Sequence, residues 1–206
     1  YLSVAPEYYE LILGELSRSG LTDPCEPDQG WTHVIVEKPF GMDLGTAKQI
    51  DELLANLFKE EQIYRIDHYL AKEMLQNILT FRFSNNLFEI AWGRELIDNI
   101  HIRVLEQIGV EKRGPFYDGV GALRDIGQNH LLQMLALVTM DHPESFEATA
   151  IQKKRAEILE ALDIPAGDVS KAATFRAQYE GYRDIKGVAP ESDTETYFKI
   201  RATLSS

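Results

Sequence analysis

The sequence predicts two fold classes in succession: α/β first, as an incomplete parallel sheet of β-α-β-α-β type, then α+β, with a mostly antiparallel sheet. Two observations predict this. Short β-branched runs alternate with amphipathic helical stretches over residues 1–70. Over residues 71–206 the strand-like runs instead show period-two alternation, without a helix between each pair.

The elements follow in order. Residues 1–5 read as the end of a strand. "PEYYELILGELSRSG" is a helix, with Pro6 suited to its first turn, Gly20 to its stop, and Tyr9, Ile12, Leu13 and Leu16 on one stripe. "LTDPCEPDQG" is a loop. "WTHVIVE" is a strand buried on both faces, ended near Lys38 because Pro39 cannot continue a central strand. Asp43 is the N-cap of "LGTAKQIDELLANLF", whose apolar stripe is Leu44, Ala47, Ile50, Leu54 and Leu57. "QIYRI" is the next buried strand, and strand, helix and strand imply parallel pairing with a right-handed crossover. Further on, "DNIHIRVLE", "FRAQYEG" and "TETYFKIRATL" read as strands, and "LRDIGQNHLLQMLALVTM" and "QKKRAEILEALD" as helices.

Composition narrows the function classes. The 206 residues are 44% hydrophobic and 26% charged, as in a soluble globular chain. A net charge of -12 argues against a general nucleic-acid or anionic-membrane surface, so an anionic ligand needs a local basic pocket. Cys25 is the only cysteine, which excludes an internal disulfide and a Cys-rich zinc site and fits a reducing, cytoplasmic compartment. The longest apolar run, "LLQMLALVTM", is too short to span a bilayer, and no signal peptide opens the chain. The sequence starts at Tyr1 rather than Met and stops in a strand at Ser206, so a fragment cut at both ends is expected.

Ligands of open parallel sheets bind at the carboxyl ends of strands. Those ends carry "EKPFG" and "DHY" here, so Lys38 and Asp67 share a rim if the two strands are neighbours. If a helix starts directly after Asp67, His68 and Lys72 lie on one face with Tyr69 beside them. Three donors near a helix N-terminus suit a phosphate, although a solvated pair is the plainer reading of the same spacing. On an α-helix, His130 of "ALRDIGQNHLLQM" shares the core face with Ile126, Met134 and Leu137. It is then either a structural histidine or a general base oriented by a carboxylate such as Asp67. Asp125 and Asn129, four apart on the adjacent face, are candidates for binding hydroxyls.

"GVGALR" has Arg124 where a dinucleotide loop needs its third glycine and no buried strand before it, so a turn is expected. His33, His101 and His142 are isolated. Asp67, His68 and His130 lack any local metal-ligand spacing, and no metal is expected.

"VEKPFG", "YRIDHYLAKE" and "RDIGQNHLLQM", in this order and spacing, resemble the glucose-6-phosphate dehydrogenase family. "YLSVAPEYYE" and "TETYFKIRATL" extend the resemblance over essentially the whole chain. Ala71 stands where the family's signature usually has Gly. The resemblance implies that residues 1–70 are the C-terminal part of a Rossmann-like coenzyme domain, and 71–206 part of a β+α substrate and dimerisation domain.

It also implies oxidation of glucose 6-phosphate to the lactone with hydride transfer to NADP. His130 would be the general base and Asp67 its carboxylate partner. His68, Tyr69 and Lys72 would contact the phosphate, and Glu106 and Asp125 the hydroxyls. Lys38 would touch both substrate and coenzyme, with Tyr1 and Pro39 near the coenzyme. The parent would be a homodimer or homotetramer. The family's glycine-rich nucleotide loop and a second basic segment are expected outside this chain, which alone would be incomplete and inactive. The alternative reading is a non-catalytic module that binds a sugar phosphate or a partner.

Overall fold

A computed structural model describes residues 1–4, 8–22, 31–41, 43–84, 86–163 and 175–205. Pro6 and Cys25, to which the sequence assigns a helix start and a loop, lie outside the described residues. The described chain is mixed α/β, with a small parallel sheet and separate antiparallel strand pairs. It divides into two units, Tyr1–His68 and Tyr69–Ser206.

In the first unit, α1 spans Tyr9–Arg18 and buries Tyr9 and Leu13, two members of the expected stripe. It ends as a Schellman motif: the Leu21 N–H donates to the Leu16 carbonyl and the Gly20 N–H to that of Ser17. Strands β1 (Val34–Val36) and β2 (Ile63–Arg65) pair in parallel, with Val36 opposite Arg65. Leu2 bridges Val36 on the other side, the remnant of the strand expected at residues 1–5. Between the strands runs α2, Leu44–Leu57, opened by a capping box in which Asp43 and Thr46 satisfy each other's N–H groups. The core gathers Tyr9, Leu13, Val34, Val36, Ile50, Leu54, Phe58 and Ile63.

Two expectations fail in this unit. Leu44, the first residue of α2, is 72% exposed instead of lying on the buried stripe. β2 is not buried on both faces: Ile63 points into the core, while Tyr64 and Arg65 are exposed. Tyr64 instead joins Trp31 and His33 in a row of neighbouring rings tilted by 39° and 49° to one another.

The second unit is mainly helical: α3 (Glu73–Phe83), α4 (Asn86–Glu89), α5 (Gly114–Tyr117), a π-helical stretch Leu123–Leu131 continuing into α6 (Leu132–Thr139), and α7 (Ala148–Glu160). Strands β3 (Leu162–Asp163) and β6 (Thr203–Leu204) form one antiparallel pair, β4 (Phe175–Ala177) and β5 (Tyr197–Lys199) another. "TETYFKIRATL" therefore supplies two short strands to two different partners instead of one long strand.

"DNIHIRVLE" forms no ladder. Its alternation is real, since Ile102 and Val104 pack against Tyr69, Leu75 and Met134, but it encodes a half-buried extended segment rather than a paired strand. A second cluster joins Phe83 to Leu137 and Met140, and buried Arg82 donates to the carbonyls of Leu137 (3.0 Å) and Met140 (2.8 Å). Those carbonyls belong to the last turn of α6, where a helix lacks its own donors.

Candidate functional site

The first unit brings its candidate residues to the carboxyl ends of its strands. β1 and β2 are neighbours with Val36 level with Arg65, so Lys38 and Asp67 each lie two residues past that rung. The Ile66 N–H to Val36 carbonyl bond, 2.9 Å, carries the pairing one step further. Tyr1 reaches the same edge, its hydroxyl donating to the Glu37 carboxylate, and that bond raises the phenol's pKa. The Tyr9 hydroxyl donates to the Glu37 carbonyl at 3.3 Å. Pro39 follows Lys38 through a cis peptide. Tyr1, Lys38, Pro39, Asp67 and His68 thus belong to one rim, and Tyr1 and His68 are its exposed members.

In the second unit a stack forms around Tyr69. Its ring lies on the His130 imidazole, with centroids 4.0 Å apart and planes 12° apart. The Lys72 ammonium sits 3.6 Å from the Tyr69 centroid. One ring face cannot hold two groups at such distances, so ammonium and imidazole flank opposite faces of the phenol. The Tyr69 hydroxyl points to Glu106 at 3.5 Å. Glu106 also lines an open depression with Gln107, Ile108 and Arg113. His130 is 0% exposed, whereas Lys72 and Glu106 are exposed. A shielded imidazole, a phenol, an ammonium and a carboxylate are therefore adjacent, a donor and acceptor set suited to a hydroxylated anion.

Local geometry departs from the expectation twice. His68, Tyr69 and Lys72 are not on a helix. The Lys72 N–H closes a turn onto the Tyr69 carbonyl at 3.0 Å, Lys72 is extended (φ -68°, ψ 129°), and α3 starts only at Glu73. The one-face argument for His68 and Lys72 therefore falls. A tight turn from Tyr69 to Lys72, not helical spacing, leads into the amino end of α3.

The second departure concerns His130, which lies on a π-helix rather than an α-helix. The Leu132 N–H donates to the Gly127 carbonyl, five residues back. Five residues make one hydrogen-bonded turn there, so Asp125 and His130 approach a common face. On an α-helix, five residues overshoot the turn of 3.6. Asn129, expected beside Asp125, instead donates to the Arg124 carbonyl at 3.2 Å.

Sequence reasoning missed Glu195. It is 8% exposed, and its carboxylate accepts from the Leu123 N–H at 3.0 Å, at the start of the π-helix. Its only sequence signal is a charge at a position of "TETYF" that turns out to face inward. Asp118 was missed as well. It accepts from the Tyr182 hydroxyl (3.0 Å), the Ala189 N–H (3.0 Å) and the Ser192 hydroxyl. These bonds, led by that from Ser192, hold its carboxyl below the usual aspartate value, while burial and the Asp118 charge push Tyr182 up to about 12.

Comparison with known proteins matches residues 1–77 to the family described as glucose-6-phosphate dehydrogenase, NAD binding domain, and residues 79–206 to glucose-6-phosphate dehydrogenase, C-terminal domain. Glucose-6-phosphate 1-dehydrogenase of Aggregatibacter actinomycetemcomitans is 44% identical over 100% of this chain and 43% of its own length. The enzyme of the same name from Chlamydia muridarum is 40% identical over 100% of this chain and 42% of its own length. Among solved structures, glucose-6-phosphate 1-dehydrogenase from Mycobacterium avium superimposes with a TM-score of 0.87 at 40% identity, over 99% of this chain and 43% of that one. A glucose-6-phosphate dehydrogenase in complex with its substrate glucose-6-phosphate does so with a TM-score of 0.84 at 33% identity, over 100% and 42%. The chain thus spans less than half the length of these relatives.

Proposed function

The chain belongs to the glucose-6-phosphate dehydrogenase family, and from that premise we propose that it carries the acid–base and sugar-phosphate half of an NADP-dependent enzyme that oxidises glucose 6-phosphate to 6-phosphogluconolactone. The observation that carries this reading is the buried His130 ring stacked on Tyr69, with Lys72 on the phenol's other face. A histidine shielded from water beside a cationic edge suits removal of a hydroxyl proton from a phosphorylated sugar.

The residue roles follow. His130 takes the proton of the anomeric hydroxyl. Asp67 holds the imidazole and stabilises the cation it becomes. His68, Tyr69 and Lys72 take the phosphate, for which the Tyr69 hydroxyl leaves its long bond to Glu106, and Lys38 touches both substrate and coenzyme. Glu106 and Asp125 accept from sugar hydroxyls. Tyr1, Lys38 and Pro39, together at one strand edge with Tyr1 68% exposed, fit the edge of a coenzyme. NADP, when bound, supplies the hydride acceptor.

Residues 1–70 are read as the C-terminal part of a Rossmann-like coenzyme domain, and 71–206 as part of the substrate and dimerisation domain. The full-length enzyme is read as a cytoplasmic homodimer or homotetramer. Among the described residues, no helix is long and apolar enough to cross a membrane.

The test is NADP reduction by the full-length enzyme, wild type against His130→Ala. Loss of the base is expected to lower kcat by roughly 100-fold or more, and wild-type rates in the variant overturn the assignment. Titrating the chain alone with glucose 6-phosphate and with NADP separates the enzyme reading from its rival. A full-length protein that binds the sugar phosphate but never reduces NADP is a binding module.

A further inference from the structure

We propose that Glu195 is a positioning residue for His130, its buried carboxylate fixing the start of the π-helix so that the imidazole meets Tyr69 face to face. The inference deepens the reading of His130 as general base and rests on it.

Helices leave their first N–H groups without partners, and a start that is not tied down can slip in register. Here the start is tied at successive points by one segment of chain. The Gly119 N–H donates to the Thr194 hydroxyl at 3.1 Å. The Ala122 N–H donates to the Glu195 carbonyl at 2.9 Å, and the Leu123 N–H to the Glu195 carboxylate at 3.0 Å. Gly121 (φ +78°) admits that carboxylate: a Cβ there would stand 2.5 Å from Glu195 Oε1. One turn on, the Phe198 ring presses on Gly127, where a Cβ would stand 2.5 Å from its Cζ.

Residues 194–198 therefore set the helix at 119, 122, 123 and 127, and His130 comes next along the same turns. A slip of one residue would rotate the imidazole by roughly a quarter of a turn, taking it off Tyr69. Arg176 stands 4.0 Å from the second carboxylate oxygen, which leaves the first to the Leu123 N–H. Burying a carboxylate to 8% exposure costs free energy unless it is hydrogen-bonded, and the Leu123 N–H supplies such a bond.

The experiment compares Glu195→Ala, Glu195→Asp and Glu195→Gln in the full-length enzyme by steady-state kinetics and by NMR of the His130 ring protons, which the stacked phenol shifts upfield. Ala lacks the acceptor and Asp falls one methylene short of the Leu123 N–H. Both are expected to lower kcat roughly 100-fold, as a misplaced catalytic group does, while KM for glucose 6-phosphate stays within about twofold. Both should also lose the upfield shift. Gln keeps an acceptor oxygen and is expected to restore both readouts.

Wild-type kcat and ring shifts in Asp, or a Gln variant as impaired as Asp, would overturn the proposal. If Ala does not fold, the Asp and Gln pair decides. His130→Ala is run alongside: if that variant keeps full activity the base assignment fails, and the ring shifts alone still report whether Glu195 sets the imidazole.

Discussion

Asp118 receives three donors, and its depressed pKa turns them into a dependence on pH. A carboxyl whose folded pKa lies below its unfolded value of 3.8 contributes stability above that value and loses it as pH falls through the folded pKa. The melting temperature of wild type should therefore exceed that of Asp118→Asn at neutral pH, and the two should converge in acid below 3.8. A gap that stays constant down to the acid limit would show that the charge is irrelevant. Tyr182, held at about 12, remains a donor throughout that range. Arg82 is the other residue whose environment is unusual. Burial lowers its pKa, while its Nη1 and Nη2 groups donate to two helix-end carbonyls and its guanidinium lies near the rings of Phe83 (4.5 Å) and Trp92 (5.3 Å).

Elements separate what the sequence spells from what packing decides. Propensity alone says that Gly127→Ala should stabilise a helix by about 1 kcal/mol. The structure gives the opposite sign. The added methyl meets Phe198 Cζ at 2.5 Å and Leu123 Cδ1 at 3.0 Å, and such overpacking costs about 1–3 kcal/mol. A denaturant midpoint below wild type, recovered in Gly127→Ala combined with Phe198→Leu, is the expected result. An isolated Gly127→Ala that raises the midpoint would refute the contact.

The same contrast explains legibility. α1, α2, the Asp43 cap and the parallel pair of β1 and β2 were readable because caps, glycine stops and periodicity are local signals. The π-helix was not, since its wide turn depends on Glu195 and Phe198, far along the chain. "DNIHIRVLE" misled because alternation reports one buried side and is silent about a hydrogen-bonding neighbour. At the candidate site, motif order singled out His130 and its companions, whereas the extended Lys72 that ends the turn before α3 was not encoded in spacing.

At the scale of the whole molecule, each unit has its own apolar clusters and is held by them. Leu54 is 0% exposed in the cluster of the first unit. Leu54→Ala should cost about 2–5 kcal/mol, seen as lost hydrogen-exchange protection in α1, α2, β1 and β2. Protection there equal to wild type would mean that the cluster is not what holds them. The two tryptophans divide between the units. Trp31, in the first, is 75% exposed and tilted against His33, while Trp92, in the second, donates its indole N–H to the Val138 carbonyl at 2.7 Å beneath the Arg82 cation. The protein thus contains two built-in fluorophores of different colour, the solvated indole emitting to the red of the sheltered one. Replacing either by phenylalanine leaves a single lamp in a known half of the chain, so unfolding and ligand binding become readable half by half without any added dye.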